Sequence, residues 1–353
     1  MAQYDVAVIG TGADPENPTS SGFAMGYTHA RNYGKVDGCE VVACADLVRE
    51  NAEAFAETFD IADGNVFEDY HELLETVEPD IVSVTVPPAV HADIVIDCAR
   101  AGASAIHCEK PMADTWGGAR RMADAADENG AFLTFNHQRR FNPPWRRAKE
   151  ILDEGRIGSL TRVETHAPNL FDWGTHCFDM LGAYVDESPP EWVLAGLDYR
   201  EENVMFGAHN ENQAVATWVY ENGVTGFAQT GAPNGVVPAR LRLLGTEGII
   251  EVDPYEAEPS LRVRSTDDAG WVAPDLPEWD INRRVFESVV DALDTGDPSE
   301  LRAENALNAT ALIFGAWESA RRRGRVEFPL DIDDNPLEAM VESGELNPEP
   351  SED

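Results

Sequence analysis

The sequence predicts an α/β protein in which an N-terminal Rossmann dinucleotide-binding domain precedes a C-terminal α+β domain with an open, mainly antiparallel sheet. Short apolar runs alternate with amphipathic stretches over residues 1–135, a pattern typical of buried parallel strands joined by helices. A glycine pair, Gly10 and Gly12, follows the first apolar run, as in dinucleotide-binding turns. After Gly158, apolar and polar residues alternate in several short segments, which indicates half-buried strands.

The first half of the chain is predicted to alternate strands with helices. The apolar runs predict strands at 5–9, 41–45, 81–86, 104–108 and 131–135. The stretches between them predict helices at 24–33, 49–59, 70–77, 90–101 and 117–128. A further helix begins at Asn142-Pro143, with asparagine as its N-cap, and ends at Gly155. This alternation builds a doubly wound sheet.

The second half is predicted to form the antiparallel sheet and two long helices. The strands are expected at 161–165, 191–197, 213–220, 224–229, 240–244, 248–252 and 261–264, and the helices at 279–293 and 303–323. A hairpin turn is expected at 221–223, where the sequence is Glu-Asn-Gly. We therefore expect a dinucleotide-binding domain over 1–137, a substrate and oligomerisation domain over 138–330, and a tail over 331–353. The tail carries nine acidic residues and no basic one, so its last part is expected to be solvated or disordered.

The charge balance excludes several classes of protein. The chain has 65 acidic and 26 basic residues, a formal net charge of −39, which argues against binding nucleic acid or an anionic membrane surface. Its lysines are Lys35, Lys110 and Lys149. An acidic surface almost without lysine indicates a protein of a salt-saturated cytoplasm; the alternative is an ordinary acidic protein. We expect a cytoplasmic, reduced protein, since there is no signal peptide, no 18-residue apolar run and no C-x-x-C pair among the five cysteines.

The glycine pair belongs to a phosphate-binding turn only if the turn contains an insertion. The third glycine of G-x-G-x-x-G would fall at Pro15, so the strict motif fails. Gly26 opens the next helix, and Asp46 ends the second strand 20 residues later, the usual spacing to the acid that binds the ribose. An insertion within 13–25 reconciles these observations. The alternative is a plain turn that binds nothing.

Lys110 is the first candidate for chemistry. It lies in Cys108-Glu109-Lys110-Pro111, directly after a predicted strand, at the sheet edge where ligands bind. A surface lysine could have been replaced by arginine, but a residue that must give up a proton could not, because arginine stays charged. Lys110 is therefore a candidate for proton transfer to or from a substrate hydroxyl. The alternative is an ordinary ion pair with Glu109.

A second cluster of candidates lies at 169–179. Asp172, His176 and Asp179 are spaced by four and three residues, so one helical face could hold them. A carboxylate beside a histidine fixes its tautomer and raises its basicity. The alternatives are an acidic helix cap with a core histidine, and a metal site. A zinc site usually contains more histidine or cysteine ligands at close spacing, so no metal is expected.

These residues together resemble the Gfo/Idh/MocA family, named for glucose–fructose oxidoreductase and inositol dehydrogenase. The resemblance rests on Val8-Ile9-Gly10-Thr11-Gly12, Gly26-Tyr-Thr-His29-Ala30, Ala45-Asp46, Val84-Thr85-Val86-Pro87-Pro88 with His91, Cys108-Glu109-Lys110-Pro111, Asn136, Arg140-Phe141-Asn142-Pro143, Asp172-x-Gly174-x-His176-x-x-Asp179 and Gly245-Thr-Glu-Gly248. It covers the chain to about residue 330.

The resemblance implies an NAD(P)-dependent oxidoreductase acting on a sugar, polyol or cyclitol. It implies that Lys110 contacts the nicotinamide ribose and the substrate, and that Asp172 and His176 line the substrate site. The residues it assigns to the cofactor are Gly10, Gly12, Gly26, Asp46, Pro87, His91 and Glu109. The open second sheet is expected to make a homodimer or homotetramer contact.

The expected reaction is hydride transfer between the nicotinamide and a carbinol carbon. Lys110 and His176 would share the proton, and Asp172 would orient His176. NAD is expected rather than NADP, because Asp46 would repel a 2′-phosphate, whereas Arg49, which could pair with one, is expected in a helix ion pair. The alternatives are a cofactor-retaining hydrolase or lyase acting on a glycoside, and a non-catalytic dinucleotide sensor. Further candidates for the pocket, with structural roles as the alternative, are Asn136, Arg139, Arg140, Asn169, Trp173 and Asn234.

Overall fold

The structure is a computed structural model that describes residues 4–16, 24–232, 238–255 and 258–350. Its first half alternates strands and helices as the sequence predicts. The elements are β1 (Tyr4–Ile9), α1 (Met25–Tyr33), β2 (Cys39–Ala45), α2 (Arg49–Phe59), β3 (Val66–Phe67), α3 (Tyr70–Val77), β4 (Ile81–Val84), α4 (His91–Arg100), β5 (Ala105–Cys108), α5 (Trp116–Asn129) and β6 (Phe132–Phe135). Only β3 was not predicted, because two residues are too few to show a period.

The six strands of this half form one parallel sheet in the order β3-β2-β1-β4-β5-β6. Its central strands are buried on both faces; Val6, Ala7 and Val8 of β1 have no exposed surface, which explains the continuous apolar runs. From β1, the strands β2 and β3 follow on one side of the sheet, and β4, β5 and β6 follow on the other, so the direction of strand addition reverses between β1 and β4. Ligands of doubly wound folds bind beyond the carboxyl ends of the strands at such a reversal.

The second half forms a mixed sheet with helices. Its elements are α6 (Pro143–Asp153), β7 (Leu160–Ala167), α7 (Gly174–Tyr184), β8 (Pro190–Asp198), β9 (Val204–Met205), β10 (Ala208–His209), β11 (Gln213–Tyr220), β12 (Thr225–Thr230), β13 (Ala239–Gly245), β14 (Gly248–Pro254), β15 (Leu261–Ser265), α8 (Ile281–Thr295), α9 (Ala303–Arg322), β16 (Val326–Glu327) and α10 (Pro336–Glu342). The two-residue strands β9, β10 and β16 were not predicted, for the same reason as β3.

The second sheet has the strand order β15-β14-β13-β7-β12-β11-β8-β16. Strands β7 and β12 pair in parallel, and the other neighbours pair antiparallel. Along β11 the buried residues are Ala214, Ala216, Trp218 and Tyr220, every second position of the strand. The predicted mainly antiparallel, half-buried sheet is therefore confirmed.

The chain divides into two compact units that are not contiguous in sequence. The first unit contains residues 1–114, 118–136 and 280–304, and the second contains 115–117, 137–279 and 305–353. The expected domain ranges differ from this division, because α8 returns to the first unit. There, Phe286 packs edge-on against the rings of His29 and Tyr33 of α1, with centroids 4.9 and 4.6 Å apart. Such a return leaves no mark in composition or period.

The acidic tail, whose last part is expected to be solvated or disordered, contains the helix α10. Helix α10 buries Leu337 and Met340, and Asn335 caps its N-terminus by accepting hydrogen bonds from two backbone N–H groups. Arg321 of α9 pairs with Asp334 just before this cap. An apolar helix face and an ion pair thus anchor the start of a segment that composition alone marks as solvated. Within the described ranges, no helix is both long enough and apolar enough to span a bilayer.

Candidate active site

In the first unit, a glycine-lined turn joins β1 to α1. Gly10 and Gly12 adopt left-handed φ values of +87° and +70°, which favour glycine. Gly26 lies in the first turn of α1, against the turn itself: a Cβ there would lie 3.0 Å from the Thr11 Cα and carbonyl oxygen. Close packing of a helix on the turn is the task of the third glycine in dinucleotide-binding loops. Residues 17–23 of the expected insertion lie outside the described residues.

Asp46 closes the turn on the side of β2. Its Oδ2 accepts hydrogen bonds from the Gly12 backbone N–H and the Thr11 hydroxyl, at 2.9 and 3.0 Å. Its Oδ1 accepts the Val48 N–H at 2.9 Å. Nearby, the Arg49 Nε donates to Glu53 at 2.8 Å, so the expected helix ion pair of Arg49 is confirmed.

A cavity of about 400 Å³ opens beside this turn. It is lined by Ile9, Gly10, Gly12, Ala45, Asp46, Leu47, Glu68, Tyr70, Thr85, Val86, Pro87, Val90, Asp93 and Ile94. Four predicted cofactor residues, Gly10, Gly12, Asp46 and Pro87, are therefore in its wall.

The residues around this cavity fit a dinucleotide. Helix α1 begins at the glycine turn with no side-chain cap described for its first N–H groups, which leaves them available to an anion such as a pyrophosphate. A side chain at Gly10 would collide with Val86, because its Cβ would lie 2.4 Å from the valine Cγ1. The close packing of β1 on the segment after β4 thus requires glycine at position 10, which lines the cavity, and the acid at the end of β2 suits ribose hydroxyls.

Glu109 lies under the loop that carries Lys110 rather than in the cavity wall. Its Oε1 accepts the Asn136 side-chain N–H at 2.7 Å and lies 3.0 Å from His29 Nε2. Its Oε2 accepts the backbone N–H of Lys110 at 3.1 Å. Burial alone would raise the pKa of Glu109, but hydrogen bonding and charge from His29, with Asn136 and Lys110, lower it to about 2. The carboxylate is thus ionised and fixes the backbone at Lys110.

His91 supports the same loop from the other side. It is fully buried and outside the cavity lining, in contrast to the direct cofactor contact implied by the resemblance. Its Nε2 lies 2.8 Å from the Val86 carbonyl oxygen, and its Nδ1 lies 3.1 and 3.2 Å from those of Pro111 and Met112. Burial lowers the pKa of His91. Its ring therefore joins the cavity wall after β4 to the segment that follows Lys110.

In the second unit, a loop over residues 169–173 leads into α7 and carries the second group of candidates. Asp172 and His176 are buried, with 6% and 5% of their surfaces exposed. The Asn169 side chain accepts the Trp173 N–H at 2.9 Å, so Asn169 shapes the loop. The His176 ring lies 5.9 Å from the Trp173 ring.

Two residues that the sequence analysis does not single out, Asn210 and Glu211, bind the backbone of the loop over residues 169–173. Asn210 Oδ1 accepts the Asp172 backbone N–H at 3.1 Å, and Glu211 Oε1 accepts the Leu170 N–H at 2.7 Å. Glu211 also accepts hydrogen bonds from Thr230 and Trp317. Burial raises the pKa of Glu211 to about 7, against the lowering effect of these donors.

Asp179, the third member of the predicted helical face, has a structural role. Its carboxylate binds the Arg140 guanidinium through two hydrogen bonds of 2.8 Å and lies 3.3 Å from His137 Nδ1. Arg140 also pairs with Glu187 at 2.7 Å. These contacts place Arg140 in the interior and not in a pocket. In the described part of the chain, no group of three or more His, Cys, Asp or Glu could hold a metal ion.

Of the remaining pocket candidates, Asn136 is engaged with Glu109, and Asn234 lies outside the described residues. Arg139 and Trp173 lie together, with the guanidinium carbon 5.2 Å from the indole centroid. His29, which supports Glu109, enters the sequence analysis only as part of the motif Gly26-Tyr-Thr-His29-Ala30. His29 lies in α1 and Glu109 follows β5. The two residues come together only through the order of the strands in the sheet, which the sequence pattern does not reveal.

Comparison with known proteins finds a family model that matches the N-terminal part of the chain. Residues 5–137 match the family model GFO_IDH_MocA, described as an oxidoreductase family with an NAD-binding Rossmann fold. The chain is 24% identical over 320 residues to the uncharacterized oxidoreductase YrbE of Bacillus subtilis, covering 84% of this chain and 91% of that protein. It is 31% identical over 141 residues to inositol 2-dehydrogenase of Salmonella typhimurium, covering 39% of this chain and 41% of that enzyme.

Solved structures extend the similarity to the whole fold. Levoglucosan dehydrogenase, solved in complex with NADH and levoglucosan, superposes with a TM-score of 0.76 at 22% identity, over 93% of this chain and 100% of that one. Residues 5–137 thus resemble the NAD-binding Rossmann domain of that oxidoreductase family.

Proposed function

We propose that this protein is an NAD-dependent oxidoreductase of the Gfo/Idh/MocA type and a dehydrogenase of a sugar, polyol or cyclitol, with Lys110, His176 and Asp172 at the reacting hydroxyl. The observation that carries the proposal is the support of the Lys110 loop. Glu109 fixes the Lys110 backbone N–H, and the backbone N–H of Glu109 donates to Val84 at the end of β4. The lysine thus stands at the sheet edge that also borders the dinucleotide cavity.

Each proposed residue has one role in the reaction. Bound NAD supplies the hydride acceptor, and the chain supplies the proton transfer. Lys110 Nζ takes the hydroxyl proton as the carbinol carbon loses its hydride, which leaves a carbonyl group. His176 donates to or accepts from the same oxygen, and Asp172 orients His176. In the reverse direction the proton returns from Lys110 to the alkoxide oxygen.

The names of the relatives support the substrate class. Inositol 2-dehydrogenase and levoglucosan dehydrogenase act on a cyclitol and on an anhydrosugar. Both substrates offer a secondary hydroxyl on a ring. Loop side chains set the choice among such substrates, and the fold does not. We therefore propose the shared class and not a particular sugar.

Two further proposals concern the environment of the enzyme. The net charge of −39 and the near absence of lysine support a protein that works in a salt-rich cytoplasm, where ions screen the repulsion between carboxylates.

Leu194 and Val215 expose 46% and 50% of their surfaces on neighbouring strands of the second sheet. These exposed apolar side chains support assembly as a homodimer or homotetramer through that sheet.

Turnover in molar KCl with NAD⁺ and a panel of sugars, polyols and cyclitols tests the proposed function. We expect NADH to accumulate in solution with at least one member. Turnover without free NADH would instead identify a cofactor-retaining hydrolase or lyase. Binding of NADH with no turnover of any member would identify a sensor.

A further inference from the structure

Two arginines of the second unit converge on one tryptophan. The guanidinium carbon of Arg240, at the start of β13, lies 4.0 Å from the centroid of the Trp173 ring. That of Arg139 lies 5.2 Å from the same centroid. Trp173 directly follows Asp172 in the loop, and its ring lies 5.9 Å from the His176 ring. The two positive charges are therefore adjacent to the residues proposed to bind the substrate.

Among the residues that the structure describes, neither arginine forms an ion pair with an acid, although the chain has 65 acidic residues. Most half-buried arginines of this unit have carboxylate partners: Arg147 pairs with Glu150 at 3.0 Å and Arg242 with Glu164 at 2.8 Å. Arg140, next to Arg139 in sequence, is bound by Asp179. Among the ion pairs found across the described ranges, none includes Arg139 or Arg240; the nearby Asp253 carboxylate, which raises the pKa of Arg139, accepts a hydrogen bond from Trp145 Nε1 at 2.8 Å.

One buried N–H donor of each of the two side chains also has no partner in the described part of the chain. The buried Nε of Arg139 and the buried Nη1 of Arg240 find no acceptor among the described residues. Each guanidinium carries five N–H donors in a planar fork, and both side chains are only half-buried. Burial lowers the pKa of Arg139 against the raising effect of the Asp253 charge, and the charge of Arg240 adds to the lowering. An anion between them would relieve this repulsion and accept the unused donors.

We propose that Arg139 and Arg240 bind an anionic group of the substrate, a carboxylate or a phosphate, beside Asp172 and His176. This inference rests on the proposed function and narrows its substrate class to acidic or phosphorylated sugars and polyols. Paired guanidinium groups suit the oxygens of either anion. The contact is short-range, so concentrated salt weakens it less than it weakens the long-range repulsion from the acidic surface.

Substrate pairs that differ in one charged group test the proposal. Wild-type enzyme is assayed with NAD⁺ at one KCl concentration on glucose, glucuronate and glucose 6-phosphate, and on galactose and galacturonate. We expect kcat/KM to be at least about tenfold higher for a charged member than for its neutral partner. A preference for glucuronate and galacturonate indicates a carboxylate site, and a preference for glucose 6-phosphate indicates a phosphate site. Arg139→Gln and Arg240→Gln each lower this ratio about tenfold, and Arg240→Lys retains part of it.

Arg325→Gln is the matched control. Arg325 also lies over a tryptophan, 4.5 Å from the Trp192 centroid, but it is paired with Glu327 at 2.7 Å. Its replacement leaves the ratio unchanged. The same ligands are also titrated into the NADH-loaded protein by tryptophan fluorescence.

The outcomes separate this proposal from the proposed function. Turnover of neutral sugars with no preference for charged ones, or a preference that survives both glutamine variants, overturns the anion site and leaves the dehydrogenase intact. Binding of a uronate or sugar phosphate that Arg240→Gln abolishes, without turnover of any ligand, supports the anion site and contradicts the dehydrogenase. If no ligand of the panel binds and none is turned over, both proposals are contradicted.

Discussion

Gly26 packs against the backbone of Thr11 across the start of α1, although a long segment separates the two residues in sequence. A Cβ at Gly26 would lie 3.0 Å from both the Thr11 Cα and its carbonyl oxygen. The contact gives Gly26 the packing role of a third loop glycine, even though the strict motif ends at Pro15. Thr11 and Gly26, which flank the expected insertion, are thus packed together as residues of an uninterrupted dinucleotide-binding turn would be.

Gly26→Ala is expected to weaken NADH binding by about tenfold or more. The added methyl group must displace backbone, and overpacking of this kind typically costs about 1–3 kcal/mol. NADH fluorescence titration measures the effect. Gly64→Ala is the control, because a Cβ at Gly64 would meet nothing within 4 Å. Equal NADH affinity of the Gly26 variant and wild type would show that the helix start does not shape the cofactor site.

Asp46 is expected to select NAD over NADP. Its carboxylate lines the cavity beside Glu68 and Asp93, and this local negative charge repels a 2′-phosphate. Asp46→Asn should lower the ratio of kcat/KM for NAD to that for NADP by about tenfold. Arg49→Ala should leave the ratio nearly unchanged, since Arg49 is engaged with Glu53. A clear NADP preference that survives Arg49→Ala would show that neither residue reads the ribose as proposed.

Glu211 is expected to make stability depend on pH near neutrality. Its pKa of about 7 in the folded protein exceeds the ordinary value of a glutamate, about 4.3 when unfolded. Between these values the folded state binds more protons than the unfolded state, so stability falls as pH rises through 7. Relative to Glu211→Gln, wild type should lose about 2 kcal/mol of unfolding free energy from about pH 5.5 to 8.5.

Urea titrations at constant KCl concentration measure this difference. Glu109→Gln is the matched control. The pKa of Glu109 is lowered to about 2, so its stabilisation is complete above the unfolded value and is lost only as pH falls towards 2. The difference between wild type and the Glu109 variant should therefore stay constant over the same range. A constant difference for Glu211→Gln as well would mean that this carboxyl ionises normally.

The sequence predicted the long elements because their periods are unambiguous. Helices α2 and α3 and strand β11 begin and end where the apolar pattern does. The position of α8 could not be predicted, since its apolar face is equally compatible with either unit. It lies in the first unit because Phe286 fits against His29 and Tyr33.

The candidate site was predicted where residues adjacent in sequence act together, and missed where the fold brings distant residues together. Lys110 and Glu109 are neighbours in sequence, so a contact between them could be anticipated, although the observed hydrogen bond involves the Lys110 backbone N–H and not the expected alternative, an ion pair. The contact of Glu109 with His29 spans 80 positions, and that of Leu170 with Glu211 spans 41. No local spacing encodes such contacts.

Salt is expected to stabilise the protein strongly. Self-repulsion of a net charge of −39 opposes the compact state when screening is removed. The Debye length grows from about 3 Å at 1 M salt to about 30 Å at 0.01 M. Melting temperature should therefore fall steadily between molar and low-millimolar KCl, as followed by circular dichroism. An unchanged melting temperature would rule out adaptation to a salt-rich cytoplasm.

The kcat of Lys110→Ala relative to wild type, with NAD⁺ and the best substrate of the panel in molar KCl, tests the central claim most directly. Lys110 is proposed to transfer the hydroxyl proton, and a positioned acid or base typically supplies about 10²–10⁴ in rate. The account predicts a loss of kcat of that size with NADH affinity and melting temperature retained. A variant that keeps nearly the wild-type kcat would contradict it.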